Sequence, residues 1–247
     1  MSLTIVGLGP GDADLLAPRA EAALAEATDL VGYGPYLDRV PLRPGQVRHA
    51  TDNRVELDRA HHALRLAASG HAVAVVSGGD PGVFGMAAAV FEAVEAHPPF
   101  ATLPIEVVPG ISALLAAAAR LGAPLGHDFC AISLSDNLKP WPVVLDRLRA
   151  AAGAGFVIAL YNPLSRARPW QLGAAFDALR SVLPPDTKIA FATAISRPDE
   201  RVDVTTLADA DPARADMRTL VLVGSTATRA IARPDGSHWL YTPRSAA

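Results

Sequence analysis

Leu3–Asp12, LTIVGLGPGD, decides how the chain is read: a short apolar run passes directly into a glycine- and proline-rich turn with an acidic tip. An apolar run of that length, ended by a tight turn, is the mark of a strand buried on both faces of a parallel sheet. The pattern returns three times. His71–Gly85 reads HAVAVVSGGDPGVFG, Val107–Ala113 reads VVPGISA, and Leu160–Arg168 reads LYNPLSRAR. Glycine at such turns permits a positive φ and close backbone approach, while proline stiffens them. Helical periodicity spans residues 12–27, 55–68, 85–95 and 112–121. In the first of these Asp14 offers a capping oxygen and Pro18 sits in the first turn. Gly70 is a suitable stop for the second. The βαβα order predicts an α/β fold with open, mostly parallel or mixed sheets and helices on both faces.

Gly122–Asp128 (GAPLGHD) interrupts this alternation and is placed as the linker between two α/β domains, 1–121 and 129–247. The second half reads as strands at 129–134, 156–161 and 188–194, with helices at 143–151 and 170–181. Strands at 202–206 and 219–223 follow and are expected to be antiparallel, because only short loops precede them.

Composition narrows the class. The 247 residues are 50% hydrophobic and only 19% charged, which excludes a disordered chain. No apolar stretch reaches the ~18 residues of a membrane span. The formal net charge of −3 argues against nucleic acid as a partner. A single cysteine, Cys130, excludes an internal disulfide framework and fits a reducing cytoplasm, and its apolar surroundings predict an inert thiol. Only Lys139 and Lys188 are lysines among the 22 basic residues. The rest are guanidinium forks, suited to carboxylates and phosphates.

In an open α/β sheet, ligands bind beyond the carboxyl ends of the strands, where all four turns lie. One such turn is ordinary connection geometry. Four, two of them tipped by Asp or Ser, point to a shared ligand site. The dinucleotide fingerprint fails, because its third glycine would fall on Asp12. There is no G-x-x-x-x-G-K-[ST], no H-E-x-x-H and no G-x-S-x-G. His61 and His62 are adjacent and cannot share a helix face, so no metal site is expected.

LTIVGLGPGDADLL, VSGGDPGVFGMA, VVPGISALLAAAARLGAPLGHDF, ALYNPLSRAR and LVLVGSTATR, in that order from Leu3 to about Arg229, resemble the successive blocks of the S-adenosylmethionine-dependent tetrapyrrole methyltransferases of cobalamin and siroheme synthesis. VGYGPYLD (Val31–Asp38), HDFCAISLSDN (His127–Asn137) and LYNPLSRAR most resemble the branch that methylates C17 and contracts the ring. The resemblance implies two α/β domains with a cleft between them, a cytoplasmic homodimer, a tetrapyrrole substrate, and S-adenosylmethionine without a metal, released as S-adenosylhomocysteine. It places cofactor contacts on Pro10, Gly78, Gly79, Asp80, Val83, Phe84, Ser112 and Ala113, and on Tyr161, Ala194 and Thr226. Arg39, Arg54, Arg120, Arg166 and Arg168 are candidate forks for substrate carboxylates. Asp80, His127 and Tyr33 are candidate acids or bases for ring contraction, with Asp128 and Tyr36 beside them. Asp80 has a second reading, as a binding residue or a brace for its loop. Two other functions stay open: a relative acting at another ring carbon, on a cobalt-loaded ring or on a protein side chain, and a non-catalytic cofactor-binding subunit.

Overall fold

A computed structural model describes residues 2–52 and 55–245, which form two compact units divided between Ala113 and Leu114. The first holds β1 (Ser2–Gly7), α1 (Pro18–Glu26), β2 (Asp29–Tyr33), α2 (Gly34–Leu37), β3 (Val47–Thr51), α3 (Glu56–Ala68), β4 (Ala72–Ser77), α4 (Met86–Ala96) and β5 (Ile105–Val108). Its sheet has the order β3-β2-β4-β1-β5, and every pairing is parallel. Successive side chains along a strand point to opposite faces. Leu3, Ile5, Val73 and Val75 therefore pack with α3 and α4, whereas Val6, Leu30, Ala74 and Val76 pack with α1 and α2. Alanines at Ala60, Ala63, Ala67 and Ala93 let the helices lie close on the sheet.

The second unit takes α5 (Ala113–Leu121) from its second residue onward. It continues through β6 (Gly122–Ala123), β7 (Phe129–Ser133), α6 (Trp141–Gly153), β8 (Val157–Tyr161), α7 (Gln171–Arg180), β9 (Lys188–Thr193), β10 (Arg201–Thr206), β11 (Thr219–Val223), β12 (Arg229–Ala232) and β13 (His238–Tyr241). Its main sheet runs β10-β9-β11-β8-β7. Only β7 and β8 pair in parallel, and β10 and β11 are antiparallel to their neighbours, as expected. One face packs on α6 and α7 around Leu148, Phe176 and Phe191, and the other packs on α5 through Leu114, Ala117 and Leu121.

Several expectations are corrected. The helix expected over 12–27 is a 3-10 turn at Ala13–Leu15 followed by α1, because Leu16 and Ala17 are extended ahead of Pro18. Asp12, not Asp14, supplies the capping oxygen, accepting from the Asp14 amide at 3.1 Å. Gly32 lies within β2: a Cβ there would stand 2.3 Å from Val76 Cγ2, so glycine lets β2 lie against β4. The expected 122–128 linker lies inside the second unit, where β13 pairs with β6 and the Thr242 amide donates to the Ala123 carbonyl at 3.0 Å. Among the described residues, no helix is long and apolar enough to cross a membrane.

At the amino edge of the first sheet the buried Asp29 carboxylate is bonded to His49 Nε2 at 2.8 Å, His71 Nδ1 at 2.7 Å and the Thr28 hydroxyl at 2.7 Å. His62 Nε2 meets His49 Nδ1 at 3.1 Å. Burial pushes the Asp29 carboxyl up, but the bonds from His49, Thr28 and His71 outweigh it and hold the group below the usual carboxylate range. Burial, then the neighbouring His49 and Arg65, hold His62 below the usual imidazole value. A neutral His62 binds fewer protons in the native state than in the unfolded chain, so its contribution to stability falls as pH drops below about 6.5. The Asp29 contribution is complete above about 3.9 and disappears as pH falls through its lowered native value. The urea midpoint is expected to decline from pH 7 to 5 and again below pH 4. Asp29→Asn should remove roughly 1–3 kcal/mol at pH 7 and flatten the lower limb. A midpoint independent of pH over this range would contradict both assignments.

Candidate active site

Because all five strands of the first sheet are parallel, the connections after β1, β2, β4 and β5 gather at one edge. There the backbones of three turns touch with no side chain between them. Gly9 and Gly79 exchange backbone hydrogen bonds of 3.1 and 2.9 Å. Both have positive φ, +66° and +65°. A Cβ on Gly110 would stand 2.2 Å from the Gly79 carbonyl oxygen, and one on Gly7 would stand 2.6 Å from the Gly110 nitrogen. No side chain fits either place. Asp80 then ties two of the turns together: Oδ1 accepts from the Gly82 amide at 2.8 Å and Oδ2 from the Gly110 amide at 3.0 Å. The Tyr36 ring lies against Gly78, where a Cβ would meet Tyr36 Cζ at 2.7 Å, and Tyr33 stacks edge-on against Tyr36 with centroids 5.4 Å apart.

Most of the cofactor positions expected in this unit therefore share one edge: Pro10, Gly78, Gly79, Asp80, Val83 and Phe84 from the turns after β1 and β4, and Ser112 and Ala113 from the turn after β5. Phe84 is half-exposed with φ +53°, a left-handed conformation that bulky residues avoid. Such strain concentrates at ligand clamps. Tyr33 also reaches this edge. Arg39 does so differently from the expectation: its Nη2 donates to the carbonyls of Leu8 at 2.9 Å and Gly9 at 3.0 Å, so the guanidinium is turned onto the protein's own turn. Arg54 lies outside the described residues.

In the second unit Tyr161 and Ala194 share an edge, since Thr219 pairs with Thr193 and Val221 with Leu160. The Tyr161 hydroxyl accepts the Leu114 amide at 3.0 Å, satisfying a first-turn donor of α5. Asn162, Ala194 and Ser196 all have positive φ, between +52° and +63°. Asn162 donates to the Ser133 hydroxyl at 2.9 Å and accepts Arg168 at its carbonyl, 3.1 Å away. Arg120 is paired with Glu200 at 2.9 Å, and Arg166 is exposed.

Thr226 and His127 are not brought to that edge. β11 is antiparallel to β8, with Val223 opposite Ile158, so Thr226 emerges where β8 begins. His127 precedes Phe129, which pairs with Val157 at that same end, and its Nδ1 lies 3.8 Å from Asp128. Four residues of strand rise, roughly 13 Å, separate the two edges. Residue spacing did not point to Asn162 or Ser196 as strained positions. The Asn-Pro step was the one local signal, because asparagine tolerates the left-handed region. Among the described residues no group of three or more His, Cys, Asp or Glu could hold a metal ion. Burial pushes the Cys130 thiol up, as an inert cysteine requires.

A carboxyl edge made of crossed glycine turns and strained tips defines a class. The sequence profile of the tetrapyrrole (corrin/porphyrin) methylases matches residues 2–211, and the chain belongs to that family. It is 58% identical over 244 residues to a precorrin-3B C(17)-methyltransferase of a Sinorhizobium species, covering 98% of this chain and 96% of the relative. It is 41% identical to a probable cobalt-factor III C(17)-methyltransferase of Salmonella typhimurium, covering 92% and 93%. Among solved structures, the methyltransferase CobJ matches with a TM-score of 0.94 at 56% identity, covering 98% of this chain and 99% of that one. The cobalt precorrin-4 methyltransferase CbiF matches with a TM-score of 0.72 at 24% identity over 90% and 94%, which shows the fold alone.

The crossed turns generate a direct expectation. Gly110→Ala, which forces a Cβ into the Gly79 carbonyl, should cost about 1–3 kcal/mol of stability. Gly34→Ala, where a Cβ meets nothing within 4 Å, should stay within about 0.5 kcal/mol of the parent. Urea unfolding of the two variants checks the difference, and equal midpoints would contradict the packing described.

Proposed function

We propose that this protein is a precorrin-3B C17-methyltransferase, moving a methyl group from S-adenosylmethionine to C17 of a tetrapyrrole with contraction of the ring to precorrin-4, in the cytoplasm. The observation that carries this reading is the 58% identity to the Sinorhizobium enzyme, which extends over 98% of the chain. The lower identity to the cobalt-factor III relative, 41%, favours the metal-free ring over the cobalt-loaded one. Incubating the enzyme separately with each ring and the methyl donor, then taking product mass and absorbance, distinguishes them. Turnover of the cobalt-loaded ring alone would overturn the choice.

The first unit's edge fits the cofactor. Its turns bring backbone at Gly9–Pro10, Gly78–Asp80, Val83–Phe84 and Ser112–Ala113 to one edge, with the glycines leaving backbone rather than side chains at the surface of the cradle. When bound, S-adenosylmethionine supplies an electrophilic sulfonium methyl. What the chain must contribute is position, because in-line transfer to a carbon nucleophile gains most from a fixed near-attack geometry. Phe84, half-exposed and strained, is proposed to pack against the cofactor. Tyr161 and Ala194 are the second unit's proposed contacts, and Thr226 is not retained among them. Asp80, with both oxygens accepting backbone amides, is assigned as the brace of the cradle rather than a base. His127 lies at the edge of its own sheet opposite Tyr161 and Ala194, and no role is proposed for it. Tyr36, packed against Gly78, and Tyr33 beside it remain the proposed proton donors. The exposed Arg166, with Arg168, is proposed to meet substrate carboxylates.

Calorimetry should show S-adenosylhomocysteine binding without added metal, and the absence of both heat and a thermal shift would sink the reading. Asp80→Asn keeps the shape but can accept through only one oxygen. Cofactor affinity is expected to weaken roughly 10–100-fold, while saturating cofactor restores most of the rate. An unchanged Kd with a collapsed rate would make Asp80 the base instead. The exposed Phe91 and the edge-strand Val107 support a homodimer, and light scattering should return twice the mass of one chain.

A further inference from the structure

The hydrogen bonds of Arg39 form one link in a longer series. Arg48, on β3, donates from Nη1 to the Leu37 carbonyl at 2.7 Å and from Nη2 to Val40 and Pro41 at 2.7 and 2.9 Å. This fixes the segment that follows α2. Arg39 lies within that segment and reaches from it to the carbonyls of Leu8 and Gly9. Gly9 is bonded in turn to Gly79, and Asp80, the next residue, accepts the Gly110 amide. From the edge strand β3 to the turn after β5, each step is a hydrogen bond to backbone, and within the series Arg39 is the side chain that bonds the Gly9 turn.

We infer that Arg39 is a positioning residue for the cofactor: its guanidinium fixes the positive-φ Gly9 turn against Gly79 so that the cradle is formed before S-adenosylmethionine arrives. This rests on the function proposed above and departs from the carboxylate-binding role expected from the sequence. Two carbonyls converging on one nitrogen need a nitrogen with two N–H bonds, and the terminal guanidinium nitrogen of Arg39 supplies both in a fixed plane and adds its charge. Without it the two carbonyl dipoles point at each other's neighbourhood unopposed, and the turn has more conformations to lose on binding. Arg39 also borders a cavity of about 210 Å³ whose lining includes Leu8, Asp12, Glu21, Val40 and Arg43. Truncating Arg39 enlarges that space beside Leu8, where a small cation can enter.

The test compares Arg39→Ala, Arg39→Lys and the cavity-lining control Arg43→Ala, reading the Kd for S-adenosylhomocysteine by calorimetry and the kcat and KM for the donor. Arg39→Ala should weaken cofactor binding roughly 10–100-fold, the range for charge-assisted bonds, while kcat at saturating cofactor stays within about threefold. Arg39→Lys should fall between Arg39→Ala and the parent, and Arg43→Ala should match the parent. Millimolar guanidinium chloride should recover part of the affinity lost in Arg39→Ala, and ammonium chloride should not. An unchanged Kd in Arg39→Ala overturns the inference, as does a defect confined to the KM for the tetrapyrrole, which would return Arg39 to the substrate. If the alanine variant does not fold, Arg39→Lys decides: parental cofactor Kd overturns the inference and a weakened Kd supports it. Failure of the parent protein itself to bind S-adenosylhomocysteine strikes the functional reading instead.

Discussion

Everything at the carboxyl edge of the first sheet depends on three backbones approaching closer than any side chain allows. Gly7, Gly79 and Gly110 close the ends of β1, β4 and the turn after β5, and a Cβ at Gly7 or Gly110 would overlap a neighbouring backbone atom. The approach is what lets Gly9 and Gly79 bond to each other and lets the Asp80 carboxylate reach the Gly110 amide. The turns are then held by contacts of the fold itself, and a ligand site built on them would lose little conformational freedom on binding.

The same constraint explains why two candidate functional side chains face the protein itself. Asp80 and Arg39 both bond to backbone atoms of these turns. A turn with φ > 0 and no packed side chain has few contacts of its own, so something else must hold its amides and carbonyls. Charged groups do this here. The chemistry of methyl transfer tolerates the arrangement, because positioning carries most of the rate and a bare backbone surface can provide it.

How legible this was depends on whether the signal was local. The buried strands with their glycine turns stand out because composition and order sit within ten residues, and the antiparallel β10 and β11 follow from loop length. β3, VRHAT, does not stand out: as an edge strand it is half polar, and its alternation is carried by Arg48 and His49, which face neighbours rather than a core. Thr226 shows the limit for sites. LVLVGSTATR looks like another strand running into a ligand turn, yet the direction of β11 is set by pairing with β8 and β9, residues far away in sequence. Tyr161 was legible as a residue at a strand end but not as the cap of α5, since Leu114 lies 47 residues away.

The first sheet separates its two polar networks by the length of its strands. The Asp29–His49–His62 cluster and His71 sit at the amino edge, while the glycine turns and Asp80 sit at the carboxyl edge. β4 alone, from Ala72 to Ser77, places roughly 16 Å between them. That span is filled by Val73, Val75 and Val76, all essentially buried and packed against neighbours on both faces. The bonds of His62 and His49 lead to Asp29 at the amino edge, away from the cradle. A proton added to His62 acts on the unit as a whole, through the folding equilibrium, until the sheet itself opens. Acid sensitivity in this unit belongs to stability, and the affinity of the cradle should follow it only through the fraction of molecules that remain folded.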